Sequence, residues 1–121
     1  MRAQMYNELC HLRKHYGTHH QVFWHNELEH GCSEHLKYML FHKICQHAPI
    51  SMLNGAFECV TSMSYHARIS DEIALSRLLY DNIAHSHDHL KLILDANYLA
   101  GSIGGTDANG GYEYYICIRG Y

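Results

Sequence analysis

The chain has 121 residues, of which 47 % are hydrophobic and 17 % carry a charged side chain. These values exclude a disordered chain and are typical of one globular domain over residues 1–121, which can bury a core without disulfides or metals. The formal charge is −3 with scattered basic residues, so we expect neither nucleic-acid nor membrane binding, no membrane span and no secretory leader.

Helical patterns fill the N-terminal half of the sequence. The spacing of apolar residues predicts an amphipathic helix over residues 2–16. Gly17 and Gly31 are natural helix stops. We therefore expect a second helix over residues 18–30 and a third over residues 33–48.

A β-hairpin is predicted near residues 50–69. Residues 57–69 alternate an apolar with a polar face, as a strand with one buried side does. Asn54-Gly55 before them is the preferred pair for a two-residue type I′ turn, because both positions need a positive φ. Residues 49–53 would then be the short partner strand.

One or two helices are predicted over residues 71–95. Ser70 can cap the first of them. The segment 84–88 leaves three alternatives: one continuous helix, a new helix capped by Ser86, or a strand over residues 92–94. A helix is favoured over the strand.

The C-terminal part of the sequence predicts a second hairpin near residues 97–120. A tyrosine-rich strand over 112–119 would follow a glycine-rich connecting loop over 101–111. The predicted fold class is therefore α+β, with a helical N-terminal half, a small antiparallel sheet and one or two helices between its hairpins. We expect the C-terminal strand at a sheet edge, where two copies could pair as a homodimer.

Five cysteines stand at unrelated spacings and form no CxxC motif. An odd number without a framework is typical of reduced thiols, which predicts a cytoplasmic protein whose cysteines pack as small apolar side chains. Cys32-x2-His35 and His42-x2-Cys45 have the residue types of zinc ligands. The two pairs lie too close together along one predicted helix, so no zinc site is expected there.

Thirteen histidines are the unusual part of the composition, and their protonation in mild acid would make the chain strongly positive. The densest group is the run HSHDH at residues 85–89. Imidazole and carboxylate groups at this spacing can ligate one divalent ion such as zinc, iron or manganese. The predicted metal-binding residues are His85, His87, Asp88, His89 and, from upstream, His66.

Tyrosines crowd the C-terminal strand. Tyrosine brings a large contact area at a low cost in rotamer entropy, which suits a protein interface. The predicted partner-binding residues are Tyr112, Tyr114, Tyr115 and Tyr121.

No catalytic motif is complete in the sequence. The leading hypothesis is therefore an inhibitor- or immunity-like protein, of the kind that mobile elements encode, that occupies a protein or protein complex and requires no cofactor. The alternative hypothesis is a metal-dependent protein, such as a hydrolase, centred on residues 85–89.

Overall fold

Two layers of helices enclose one mixed four-stranded sheet. A computed structural model describes residues 2–121 apart from the side chain of Tyr80. Its elements in chain order are α1 (Arg2–His15), β1 (Phe23–Trp24), α2 (Asn26–His42), a 3₁₀ helix (Ile50–Met52), β2 (Phe57–Tyr65), α3 (Glu72–Ala84), α4 (His87–Asp95), β3 (Tyr98–Ala108) and β4 (Gly111–Gly120). The predicted α+β fold class is confirmed. Within the described part of the chain, no helix has the length and apolarity needed to cross a membrane.

The sheet has the strand order β1-β3-β4-β2, so β4 is a central strand. It pairs antiparallel with β3 on one side and with β2 on the other. Ile116 and Ile118 face the layer made by α1, α3 and α4, whereas Tyr115 and Cys117 face α2. The expected sheet edge at the C-terminal strand is wrong, because both backbone edges of β4 are already paired. A homodimer through this strand has no free edge to use.

The first helix is confirmed, and it buries the stripe that its spacing predicted. Met5, Leu9 and Leu12 are each at most 2 % exposed. They pack in one cluster with Ile116 and Ile118 of β4. Burial of such side chains is the main favourable contribution to folding, at about 1.5–3 kcal/mol for each.

The second and third predicted helices are wrong in their bounds. Residues 18–25 contain no helix, and α2 starts at Asn26 and continues through Gly31. Gly31 does not stop the helix, because its role is to let another chain segment approach. A Cβ at this position would lie 2.3 Å from Nη1 of Arg119. The helix ends where Lys43 adopts a left-handed conformation, with φ of 51°.

The predicted hairpin at 50–69 is also wrong. Residues 50–52 form a 3₁₀ turn, and β2 takes β4 as its partner. Asn54 and Gly55 do have the predicted positive φ angles, 50° and 85°. Their turn leads from the 3₁₀ helix into β2, and does not join two paired strands.

Of the three alternatives for residues 84–88, the structure has the second, with two separate helices and a new helix that begins after Ser86. α3 is capped by Asp71, whose carboxylate accepts the Ile73 N–H at 3.0 Å, and not by Ser70. Ser86 occupies the N-cap position of α4, so a new helix begins there.

The glycine-rich stretch at 101–111 belongs mostly to β3 and is not the predicted loop. The turn is confined to Asn109-Gly110, with φ angles of 44° and 82°. A Cβ on Gly101 would lie 2.7 Å from the Met5 side chain, and one on Gly104 would lie 3.3 Å from Leu36. The missing side chains let a helix approach each face of the sheet.

Arg13 of α1 is buried, 2 % exposed, and hydrogen-bonds both the C-terminal end of α4 and the loop that contains His20. Its Nη1 donates to the carbonyl oxygens of Ile93 at 2.7 Å and Ala96 at 2.8 Å. Its Nη2 donates to the carbonyl of His20 at 3.0 Å. These bonds satisfy carbonyl groups at the C-terminal end of α4 that have no partner within the helix.

We expect Arg13→Lys to lower the free energy of unfolding by about 2–3 kcal/mol, because one ammonium cannot reach all of these buried carbonyl groups. Urea unfolding followed by Trp24 fluorescence measures the change. Arg77→Lys, at an exposed position on α3, is the matched control and should stay within about 0.5 kcal/mol of the parent. Equal costs for the two variants would contradict the role assigned to Arg13.

Candidate functional site

A cavity of about 620 Å³ opens between α2 and the segment 43–53 that follows it. Side chains from α2 form one wall, the segment forms the other, and β4 contributes Arg119. The lining includes His35, Tyr38, His47, Pro49, Met52 and Arg119.

A buried ion pair lies at this cavity. Glu58 of β2 and Arg119 of β4 are directly opposite in the strand register, so their side chains share one face of the sheet. Nε and Nη2 of Arg119 each lie 2.9 Å from Oε2 of Glu58, and the side chains of Arg119 and Glu58 are only 8 % and 1 % exposed. The positive and negative charges therefore compensate each other out of contact with solvent.

The second oxygen of Glu58 fixes the segment that forms the cavity wall. Oε1 accepts the Ala48 N–H at 2.8 Å and lies 3.1 Å from Nδ1 of His47. Burial by itself raises the pKa of the Glu58 carboxyl, but the hydrogen bonds from Ala48, Arg119 and His47 outweigh burial, and the pKa lies below its usual value. Glu58 is therefore ionised at neutral pH.

His35 fixes the same segment two residues before Ala48. Its ring is almost buried and stacks on Tyr38 with ring centroids 5.8 Å apart. Its Nε2 lies 2.6 Å from the carbonyl oxygen of Gln46. The backbone of residues 46–48 is thus held at two points: His35 binds the Gln46 carbonyl, and Glu58 binds the Ala48 N–H.

Two histidines from different elements, His47 and His89, affect each other electrostatically. His47 has a side chain that is 62 % exposed. His89 of α4 has a buried Nδ1 with no hydrogen-bond partner. Burial lowers the pKa of His89, nearby His47 lowers it further, and Asp88 opposes both. His89 is therefore neutral at neutral pH.

Large apolar side chains are exposed on α2 and on the segment that follows it, and two of them, Tyr38 and Met52, line the cavity. Phe41 is 84 % exposed, Ile50 87 % and Met52 65 %. Tyr38 and Ile44 are also exposed, at 47 % and 42 %. We call these five side chains the α2-loop patch.

The four tyrosines predicted to bind a partner do not form one surface. Tyr114 and Tyr115 are only 3 % exposed, because they point to opposite faces of a central strand and helices cover both faces. Tyr114 is used internally, where its hydroxyl accepts the Ile69 N–H at 2.6 Å. Tyr112 and Tyr121 keep exposed area, but they lie at opposite ends of β4.

The predicted metal-binding residues are also dispersed. His85 caps α3, with Nδ1 2.6 Å from the Asp81 carbonyl oxygen, and His66 stacks on Tyr65 with centroids 5.7 Å apart. His87 and Asp88 are exposed on the first turn of α4, and His89 points inward. Among residues 2–121, leaving aside the Tyr80 side chain, no three His, Cys, Asp or Glu side chains converge on a metal position.

Sequence reasoning missed Glu58, Arg119 and His47. The alternating pattern placed Glu58 on the polar face of its strand, and that face is covered by α2. The sequence did contain one indication of an ion pair, because Glu58 and Arg119 are oppositely charged residues that each lie within a predicted strand. Without the strand register, nothing in the sequence connects residues 58 and 119.

We expect Glu58→Gln to cost about 3–5 kcal/mol at pH 6, because it leaves the Arg119 charge buried without compensation. The loss of unfolding free energy caused by Glu58→Gln should be smaller at acidic pH. Since the Glu58 pKa in the folded state lies below the ordinary value of 4.5, its stabilisation is complete above that pH and is lost as pH falls through the folded pKa. Urea unfolding of both proteins at pH 6 and pH 3.5 measures the difference.

Glu34→Gln is the matched control for this prediction. Glu34 is 56 % exposed and pairs with Lys37 at 3.2 Å on the surface of α2. Its loss should cost at most about 1 kcal/mol. A pH-independent cost of Glu58→Gln would show that the carboxylate charge is not what stabilises the pair.

No protein-family model matches the sequence, and no curated protein matches it. Solved structures do match the fold. An outer surface protein from Borrelia burgdorferi aligns with a TM-score of 0.63 and 14 % identity, over 95 % of this chain and 87 % of that one.

Two further solved structures have the same fold. NaASP2 with Zn²⁺ aligns with a TM-score of 0.69 and 10 % identity, over 98 % of this chain and 77 % of that one. BmVAL-1 aligns with a TM-score of 0.62 and 14 % identity, over 97 % and 76 %. At these identities the likeness to the three structures establishes the fold alone.

Proposed function

We propose that this protein acts by binding a protein partner through the α2-loop patch and has no catalytic activity of its own. The observation that supports the proposal is the exposure of Phe41, Ile50 and Met52, each at least 65 % exposed. Burying such a side chain against a partner is worth about 1.5–3 kcal/mol before the costs of association. Contiguous exposed apolar side chains mark interaction surfaces, and these three side chains belong to α2 and the segment directly after it.

The cavity beside the patch gives a partner a place to insert a side chain. Tyr38 and Met52 belong both to the patch and to the cavity lining. Side chains that fill desolvated pockets at the centre of an interface supply most of the binding energy.

The charge around the patch favours a partner with acidic groups at its rim. Residues 35–57 contain no aspartate or glutamate, and Glu34, which lines the cavity, is paired with Lys37. Lys43 lies in this stretch, and its Nζ donates to the backbone carbonyl of Asp107 at 3.2 Å. Complementary charges at a rim raise the rate of association and select the partner.

Such a protein would work by occupancy, as inhibitor- and immunity-like proteins do, in the cytoplasm that the cysteines predict. The proposed surface differs from the C-terminal hairpin of the sequence hypothesis. Tyr112 and Tyr121, which lie at opposite ends of β4, are each tested singly in the same assay.

We expect the double variant Phe41→Ser/Ile50→Ser to retain the fold and to lose at least about tenfold in partner affinity, since truncating interface anchors costs more than 1 kcal/mol each. Immobilised protein incubated with lysate, followed by quantitative mass spectrometry, measures capture. The matched control is Ile73→Ser, because Ile73 is 54 % exposed on α3.

Two outcomes would redirect this proposal. Unchanged capture by the double variant would remove the α2-loop patch from the interface. A loss seen instead with Tyr112→Ala or Tyr121→Ala would return the interface to the C-terminal hairpin.

Binding of a divalent metal by His47 and His89 is the second candidate function. It is supported by the buried Nδ1 of His89, which has no hydrogen-bond partner, and by the electrostatic effect of His47 on the His89 ring. Neutral imidazole is a common zinc ligand, and one structure of the same fold is described with Zn²⁺. A bound zinc ion would act as a Lewis acid and lower the pKa of a bound water.

We expect zinc titration of tag-free protein, followed by calorimetry, to give one site that His47→Ala and His89→Ala each weaken at least about tenfold. His87→Ala is the matched control, because His87 lies on the same helix as His89 and is exposed. Loss of zinc in His87→Ala with retention in His47→Ala would place the metal in the 85–89 run, as the sequence suggested. No binding by the parent would end the metal hypothesis.

A further inference from the structure

Two of the five cysteines meet in the interior between α2 and the sheet. Cys32 of α2 and Cys117 of β4 are both completely buried and belong to one packed cluster. The Cys32 thiol donates to the carbonyl of Ala100 at 3.6 Å. The Cys117 thiol donates to Oε2 of Glu58 at 3.7 Å, and the neighbouring Cys32 thiol raises the pKa of Cys117. Both thiols are free.

The other three cysteines do not belong to the packed cluster that holds Cys32 and Cys117. Cys59 lies in the cluster on the opposite face of the sheet, so the backbone of β2 separates it from Cys32 and Cys117. Cys10 is on α1 in that same opposite layer, and Cys45 is exposed beyond the end of α2. The fold therefore selects one pair out of an odd set whose spacing in the sequence indicates none.

We propose that Cys32 and Cys117 form a disulfide when the chain folds in the presence of a thiol–disulfide oxidant, and that this bond fastens α2 to the centre of the sheet. With glutathione disulfide as the oxidant, one thiolate attacks it and releases one glutathione. The second thiolate then attacks the mixed disulfide and releases another, so that two protein thiols are oxidised and one glutathione disulfide becomes two glutathione molecules.

Burial controls when this bond forms. The neighbouring Cys32 thiol and burial both raise the pKa of Cys117, so the reactive thiolate is scarce in the folded protein. Oxidation therefore takes place during folding or after α2 moves off the sheet. It should be slow in the native protein and faster in urea below the unfolding midpoint.

The bond would stabilise the cavity without dismantling it. Glu58 would lose the Cys117 donor and keep its bonds to Arg119 and Ala48. Closing a loop between residues 32 and 117 restricts the unfolded chain strongly, because the stabilisation grows with loop length.

The test uses a Cys10→Ser/Cys45→Ser background, which leaves Cys32, Cys59 and Cys117. The protein is refolded with a mixture of reduced and oxidised glutathione, or with excess dithiothreitol, and is then denatured and alkylated with a maleimide. We expect one adduct, on Cys59, after oxidising refolding, and three after reducing refolding. The oxidised form should melt roughly 5–15 °C higher than the reduced form.

Cys32→Ser in the same background is the control, and its melting temperature should not depend on the redox buffer. Three adducts after oxidising refolding, or a peptide map that joins Cys59 to either partner, would overturn the proposal. The adduct count does not require any variant at Cys32 or Cys117, so it decides the matter even where Cys32→Ser fails to fold.

Discussion

The candidate site depends on the Glu58–Arg119 ion pair. Removing two charges from water is expensive, and the pair persists because each charge compensates the other and because backbone and side-chain donors satisfy the remaining lone pairs of Glu58. The strand register brings the two residues together, and the close approach of Gly31 gives Arg119 its room. The ion pair thus connects β2 and β4 with the segment around Ala48, and Arg119 lies against α2 at Gly31.

Local patterns predicted the elements whose cause is local. The helical stripe of α1, the alternation of β2 and the positive φ angles of Asn54-Gly55 all depend on residues close in sequence. Predictions about glycine were less successful, because the same residue serves different purposes. Gly31 and Gly101 interrupt nothing and instead allow close packing against Arg119 and Met5, side chains that are far away in the sequence.

The candidate site was harder to predict than the fold, because its members come from separate elements. Tyr114 and Tyr115 read as surface residues until the strand order placed them in the centre of a covered sheet. The exposure of Phe41 has the same origin, since the helical pattern of α2 does not reveal which apolar residues have a neighbouring layer to pack on. Only three-dimensional neighbours distinguish an interior aromatic residue from an interface.

The central position of β4 has a consequence for the order in which the chain assembles. β2 precedes its only strand partner by some fifty residues, so during synthesis it leaves the ribosome without anything to pair with. The apolar residues of α1 and α2 likewise stay uncovered until β4, the strand on which they pack, has been synthesised. Contacts between distant parts of a sequence form slowly, and exposed strands are prone to aggregation. The sheet of this domain can therefore be completed only after residues 111–120 have been synthesised. A chaperone that shields β2 would act before that point.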